Sequence, residues 1–410
     1  MEKKSSKQTL NHYVKQSYQE AVDAKKAGQL VGWSIAVVPQ EFFEAMGLKL
    51  LYPENHAAAI AARKRSDEFL TSAETHGYHT DICAYMRINL GYVLNGANGD
   101  RDVPDAPLPD FLVCGTNYCT QLVNWFENLS KELHIPLFML DMPFIHDDDL
   151  GHSRLEYIKA QFARLIRQLE EMTGRRFDQD RFMEISNISL ENVRLWKKAF
   201  ELVRHVPAPA DGFDFYNYMM PMVVMRGRRE TGEILAAWID EMQKKIAKGE
   251  GPFKDSAEKY RIFFDGVICW PQLAHVSKAL RSYGINITGS NYPISWALEY
   301  EAGDMASMAR AYAQLIPNCN LEGQVARKVA IIREFKCEGI VYHMNRSCKV
   351  MDFLMYEVQR RIHAETGLPY ITFDGDQGDP RVFVPAHFDT RIQALVEMMD
   401  QAKISKGRKS

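Results

Sequence analysis

Eight short apolar runs, four in each half of the chain, constrain this sequence more than any other feature. They are Val31–Val38, Leu48–Tyr52, Asp110–Cys114 and Ile135–Leu140, then Ile262–Cys269 and the runs at 285–288, 339–342 and 370–373. Each is too short for a buried helix and lacks the polar alternation of a half-exposed strand, so it reads as a strand covered on both faces. Helical stretches separate them, notably Glu54 to Thr75, Asn117 to Leu133 and Pro271 to Tyr283. Strands alternating with helices require crossover connections and therefore parallel sheets. The predicted fold is α/β, with two doubly wound parallel-sheet (Rossmann/flavodoxin-like) domains joined by a helical segment.

At 410 residues the chain is long for a single core. The punctuation divides it into an N-terminal α/β domain over 1–205, a helical connection over 206–255 and a C-terminal α/β domain over 256–410. Residues 8–27 begin the first domain as a helix. Long amphipathic helices at 151–172 and 178–204, joined at Thr173-Gly174, trail it. Pro207, Pro209 and Gly212 mark its end, and Gly249 to Pro252 closes the connection. A last helix covers 388–402. Asp81 is the expected cap of a helix carrying Cys83.

A net charge of −3 gives no field suited to a nucleic-acid backbone. The Lys403–Lys409 tail reads as a solvated, frayed end. No apolar run approaches the roughly 20 residues of a membrane span, and Met1-Glu2-Lys3-Lys4-Ser5 leads into a polar helix. The expectation is a cytoplasmic protein with neither a membrane nor a nucleic-acid partner. Seven cysteines without close spacing argue against a disulfide framework. The sequence has no Gly-x-Gly-x-x-Gly and no Walker A pattern, so neither a dinucleotide nor an ATP site is expected.

Ligands of doubly wound sheets sit beyond the C-terminal strand ends. Ser34, Glu54, Cys119, Trp270, His343, Cys348 and Asp374 all fall there. Cys348 follows a strand and precedes a helix, where the free N–H groups favour a thiolate. Spacing alone leaves every cysteine open to a plain packing role. Glu54, after Pro53, reads equally as a helix-starting carboxylate or as an acid–base group. Ser34 is either a core hydroxyl or a proton donor. His56 and His343 fit ordinary hydrogen-bonded histidines, and Arg346 fits either an ion pair or a bidentate anion site.

Further meaning comes from an ordered set of motifs: Gly32-Trp33-Ser34, Tyr52-Pro53-Glu54-Asn55-His56, the Cys83 segment and Asn117-Tyr118-Cys119. It continues with Gly212-Phe213-Asp214, Tyr342-His343-Met344-Asn345-Arg346-Ser347-Cys348-Lys349 and Phe373-Asp374-Gly375-Asp376-Gln377. Over nearly its whole length the chain resembles the α-type subunits of the 2-hydroxyacyl-CoA dehydratases (2-hydroxyglutaryl-CoA dehydratase, D-component type), relatives of the benzoyl-CoA reductases. The resemblance implies a 4Fe–4S cluster on Cys83, Cys119 and Cys348, with one iron left open. Cys114, Cys269, Cys319 and Cys337 have no such match: Cys114 reads as packing, Cys319 and Cys337 as structural or exposed.

The implied reaction removes water from an (R)-2-hydroxyacyl-CoA to give the (E)-2-enoyl-CoA. The hydroxyl sits next to the thioester and the β-proton is not acidic, so a ketyl radical made by one electron is the route. Glu54 and Ser34 are the implied acid–base residues, and Arg346 and His343 the substrate-binding ones. Ala36 lies on the same strand face as Ser34, where some relatives carry a second hydroxyl. The resemblance gives Asp374 and Asp376 no role. Implied partners are a homologous β-type subunit and an ATP-dependent iron–sulfur activator; flavin is compatible but not indicated. The alternatives are a benzoyl-CoA-reductase-type chain and a non-catalytic relay or scaffold chain, the relay favoured by a fourth thiol, Cys114 or Cys269, at the site.

Overall fold

The computed structural model describes residues 5–100, 103–147 and 150–407. The first four residues and the last three, which end the basic tail, lie outside that range. The first sheet contains β1 (Val31–Ser34), β2 (Lys49–Leu51), β3 (Phe111–Gly115) and β4 (Leu137–Leu140) in the order β2-β1-β3-β4. The second contains β5 (Tyr260–Asp265), β6 (Ile285–Ser290), β7 (Gly339–Asn345) and β8 (Tyr370–Gly375) in the order β6-β5-β7-β8. All pairings are parallel. The fold class expected from the apolar runs is the one found.

Helices wrap both sheets. In the first half they are α1 (Ser6–Lys26), α2 (Gln40–Ala45), α3 (Pro53–Ala62), α4 (Ser66–Thr75), α5 (Ala84–Leu94), α6 (Thr120–Leu133), α7 (His152–Thr173) and α8 (Gln179–Leu202). Next come α9 (Gly212–Val224) and α10 (Arg229–Ala247). In the second half they are α11 (Leu273–Ser282), α12 (Asn291–Ile294), α13 (Met305–Ala313), α14 (Leu321–Glu334), α15 (Lys349–Asp352), α16 (Met355–Thr366) and α17 (Pro385–Gly407). None among the described residues is long and apolar enough to cross a membrane.

Four local expectations change, each for a visible reason. The run Val31–Val38 stays in the sheet only to Ser34, because the Ala36 N–H is taken by the Glu54 carboxylate at 2.8 Å. The Ala-rich stretch is two helices, α3 and α4, split where Lys64 adopts a left-handed φ of 60°. Asp81 does not cap α5; Cys83 occupies that position. The basic tail continues α17 to Gly407, with Lys403 paired to Glu338 at 2.9 Å.

The two halves are held together by buried polar contacts as well as apolar packing. Glu41 on α2 accepts from Ser189 at 2.7 Å, Tyr300 at 2.9 Å, Tyr312 at 2.8 Å and Arg226 at 3.3 Å, and the Glu41–Arg226 pair is fully buried. Removing one partner of such a pair costs about 3–5 kcal/mol, because it strands the other charge. Gly212 at the start of α9 lies so close to β6 that a Cβ would stand 2.4 Å from the Ile287 carbonyl oxygen. Only glycine admits that approach.

Candidate active site

In both sheets the strand order reverses beside the first strand, between β1 and β3 and between β5 and β7. A crevice opens at each such point. The loops after β1, β3, β5 and β7 all contribute to one cavity of about 870 Å³ between the two sheets. From those loops come Ala36 and Val37, Tyr118 and Cys119, Val267 and Trp270, and Cys348. Glu54, Cys83, Tyr85 and Tyr292 complete the inner wall.

Cys83, Cys119 and Cys348 are the three cysteines lining this cavity, and each sits at the N-cap position of a helix. All seven cysteines are free thiols. Cys114, Cys269, Cys319 and Cys337 are buried in packing outside the lining. Cys319 and Cys337 are therefore structural, with their thiols against the Ile316 carbonyl at 3.0 Å and the Thr288 hydroxyl at 3.7 Å. No fourth thiol joins the lining. Among the described residues no close-set group of three His, Cys, Asp or Glu side chains could hold a single metal ion.

The expected thiolate at a helix N-terminus is not what the bare protein favours. Burial pushes Cys119 up to about 11 and Cys83 up to about 12, and raises Cys348 well above the ordinary thiol value. Each of Cys83 and Cys348 is also raised by a neighbouring thiol. Desolvation of the charged form outweighs the backbone N–H groups that oppose it.

A polar network registers the three cysteine loops against one another. Gln121, two residues after Cys119, accepts from the Cys83 N–H at 2.6 Å and donates to the Ser347 carbonyl at 3.2 Å. The Ser347 hydroxyl accepts from the Ala84 N–H at 3.0 Å. The Ser347 N–H donates to Asp376 at 3.0 Å, whose other oxygen accepts from the Gly378 and Asp379 N–H groups at 2.8 and 3.0 Å. Gln377 donates to the Cys83 sulfur at 3.4 Å. The anchoring roles of Ser347 and Asp376 were invisible in the sequence, and the only signal for Gln121 was its position two residues after Cys119.

Glu54 lies in the first turn of α3 and faces the cavity. Burial pushes its carboxyl up to about 7 against the opposing hydrogen bond from Ala36. The helix-start and cavity roles coexist. Ser34 is fully buried and donates to the Ile35 carbonyl at 3.0 Å, and Ala36, not Ser34, lines the cavity.

His343 and Arg346 are likewise placed away from the lining. His343 is buried, its ring stacked on Phe373 at 4.7 Å and its Nδ1 bonded to the Val267 carbonyl at 2.5 Å. Burial lowers its pKa, so it is neutral and positions the Val267 loop. Gly375 has to be glycine beside it, since a Cβ there would stand 2.6 Å from His343 Nε2. Arg346 is 61 % exposed and faces Asp81 at 3.4 Å. The cations on the lining are instead Lys7 and Lys15 on α1 and Arg63 after α3, all at the exposed mouth.

Fold and site define a two-sheet, doubly wound α/β protein whose halves enclose a deep cavity bearing three thiols and a carboxyl poised near neutrality. The chain belongs to the 2-hydroxyglutaryl-CoA dehydratase, D-component, family, whose model matches residues 35–399. It is 46% identical over 403 residues to the (R)-2-hydroxyisocaproyl-CoA dehydratase alpha subunit of Clostridioides difficile, covering 98% of each chain. It is 40% identical over 408 residues to the lactoyl-CoA dehydratase subunit alpha of Anaerotignum propionicum, covering 96% of each. A benzoyl-CoA reductase subunit of Thauera aromatica is a more distant relative, 26% identical over 367 residues, 86% of this chain and 84% of that one. The resemblance carried by the motifs is borne out, and the chain is a dehydratase subunit of the hydro-lyase class.

Proposed function

We propose that this chain is the catalytic α-type subunit of an (R)-2-hydroxyacyl-CoA dehydratase, and that water is eliminated inside the cavity between its two sheets. The observation that carries the reading is the convergence of Cys83, Cys119, Cys348 and Glu54 on that one cavity from four separate segments. Three soft thiols and no fourth are the donor set of a 4Fe–4S cluster with one iron free of protein. Their buried, neutral state is the one that a cationic cofactor reverses, since bound metal deprotonates thiols outright. Bound there, such a cluster would supply an electron at low potential and an open position for an oxygen ligand.

The protein's own work is positioning and proton transfer. The network of Gln121, Ser347 and Asp376 fixes the relative placement of the three thiols. Glu54, half-protonated near neutral pH, is suited to carry the proton that elimination moves. The buried walls exclude water, which protects a ketyl radical from side reactions. Lys7, Lys15 and Arg63 at the mouth suit the phosphates of coenzyme A, a role for which Arg346, outside the cavity, is poorly placed.

A β-type subunit and a separate ATP-dependent activator complete the assembly in this reading. The activator delivers the starting electron, which serves many turnovers because elimination regenerates it. The test is to mix the α/β complex with its activator, reductant and a 2-hydroxyacyl-CoA under strict anaerobiosis, and to compare ATP hydrolysed with enoyl-CoA formed. Far less than one ATP per product is expected. A fixed stoichiometric ATP demand, or activity without activator, would overturn the reading in favour of a reductase-type or non-radical enzyme.

A further inference from the structure

The cavity is electrostatically divided along its length. Its mouth is edged by exposed charged side chains: Lys7 and Lys15 on one face of α1, Arg63 after α3, and the carboxylates Asp100 and Asp105. Its inner end is formed by Val37, Tyr118, Val267, Tyr292 and Trp296. These five residues also wall a small annex of about 30 Å³, closed behind by Leu315, Ile316, Pro317 and Met351. Among the described residues lining the inner end and the annex there is no Lys, Arg or His. The polar atoms offered to a ligand there are neutral, such as the hydroxyls of Tyr118 and Tyr292 and the Trp296 Nε1, a buried donor without a protein partner. The ionisable groups close enough to act on both tyrosines include Cys348 and Glu54, and both are acids rather than cations.

From this division we infer that the acyl group handled by the enzyme is uncharged and apolar, branched aliphatic or aromatic, and that an acyl chain ending in a second carboxylate is rejected. The inference rests on the acyl-CoA reading above and deepens it by naming the substrate class. With the phosphates at the cationic mouth, the acyl end of the thioester points to the aromatic inner wall. An apolar acyl chain gains there the burial that drives most ligand binding, and its terminal branch has the annex to enter. A distal carboxylate would lose its water without meeting a cation and would face Glu54. Neutral hydroxyl and indole donors do not offset the burial of an unpaired charge. Trp296 Nε1 can still donate to a neutral substrate oxygen.

The experiment compares 2-hydroxyisocaproyl-CoA, phenyllactyl-CoA and 2-hydroxyglutaryl-CoA as substrates of the activated α/β complex. In parallel, the corresponding enoyl-CoA products are titrated against the unactivated anaerobic complex to give binding constants. The apolar esters should exceed the dicarboxylic one by at least about 10²-fold in kcat/KM, and their products should bind correspondingly tighter. Equal or better use and binding of the dicarboxylic ester would overturn the inference. If no ester is dehydrated while the apolar products still bind tighter, the pocket assignment stands and the functional reading fails. The two failures are thus distinguished by the binding arm.

Discussion

Asp376→Asn tests whether a buried carboxylate holds the cysteine loops in register. Asp376 is buried, and its carboxylate accepts three backbone N–H groups, from Ser347, Gly378 and Asp379, at 3.0, 2.8 and 3.0 Å. An asparagine has one carbonyl oxygen, so one of the two sides must face an NH₂ group. The amide should keep its oxygen on Gly378 and Asp379, where it retains two bonds, and turn its NH₂ towards the Ser347 N–H. The Ser347–Cys348 turn then loses a charge-assisted bond and gains an unsatisfied buried donor, at a cost of about 1.5–3 kcal/mol. Confined to the turn, that shifts its opening equilibrium by roughly 10- to 10²-fold. The assay is the rate at which a chelator strips iron from anaerobically reconstituted protein, together with hydrogen exchange at the Ser347 and Cys348 amides. Both should accelerate by that factor, with little change in the far-UV spectrum. Asp374→Asn, at an exposed position in the same motif, is the control and should change neither. Unchanged iron loss and exchange in Asp376→Asn would refute the claim that this carboxylate fixes the third thiol.

Single Ala replacements of Cys83, Cys119 or Cys348 should lower the iron and sulfide content of anaerobic protein. The same change at Cys114, Cys319 or Cys337 should leave it near wild type, and equal loss at all six would show that the cavity lining is the wrong criterion. Glu54→Gln should retain iron and lose rate by roughly 10²–10⁴-fold, and an ionisation near pH 7 in the wild-type rate profile should vanish with it. Because the folded pKa of Glu54 is raised, its neutral form is the one the fold tolerates. Its contribution is most favourable below about pH 4.5 and is lost as pH rises through about 7. Relative to Glu54→Gln, wild-type melting temperature should therefore fall across that window; parallel curves would mean that Glu54 is not desolvated. Combined Lys7→Ala, Lys15→Ala and Arg63→Ala should raise KM for the CoA ester and flatten its salt dependence, while Arg346→Ala should not; the reverse pattern would return the phosphates to Arg346.

How much of this was legible in the sequence depends on range. Strands such as Phe111–Gly115 and Gly339–Asn345 are apolar throughout most of their length because both faces are covered, and that is a local property a sequence displays. Their alternation with helices determined the class of fold, and the position of Cys119 and Cys348 after strand ends placed both at the ligand-binding edge. The motif set identified the family. The tertiary structure decided everything that depends on distant neighbours. Ala84 and Ser347 are bonded across 263 positions, and Cys83 and Gln377 across 294, which no spacing rule reaches. Ser34 and Ala36 look equivalent on a strand face, yet sheet bonding ends at the Ile35 N–H, the Ala36 N–H turns to the Glu54 carboxylate, and only Ala36 of the two lines the cavity. Arg346 and Lys7 are both plausible phosphate ligands by residue type, but the turn before Cys348 sends Arg346 into solvent while α1 lays Lys7 along the mouth. The Glu54 carboxyl is an ordinary acid in sequence and a near-neutral one in the fold, because its proton affinity is set by the water excluded around it.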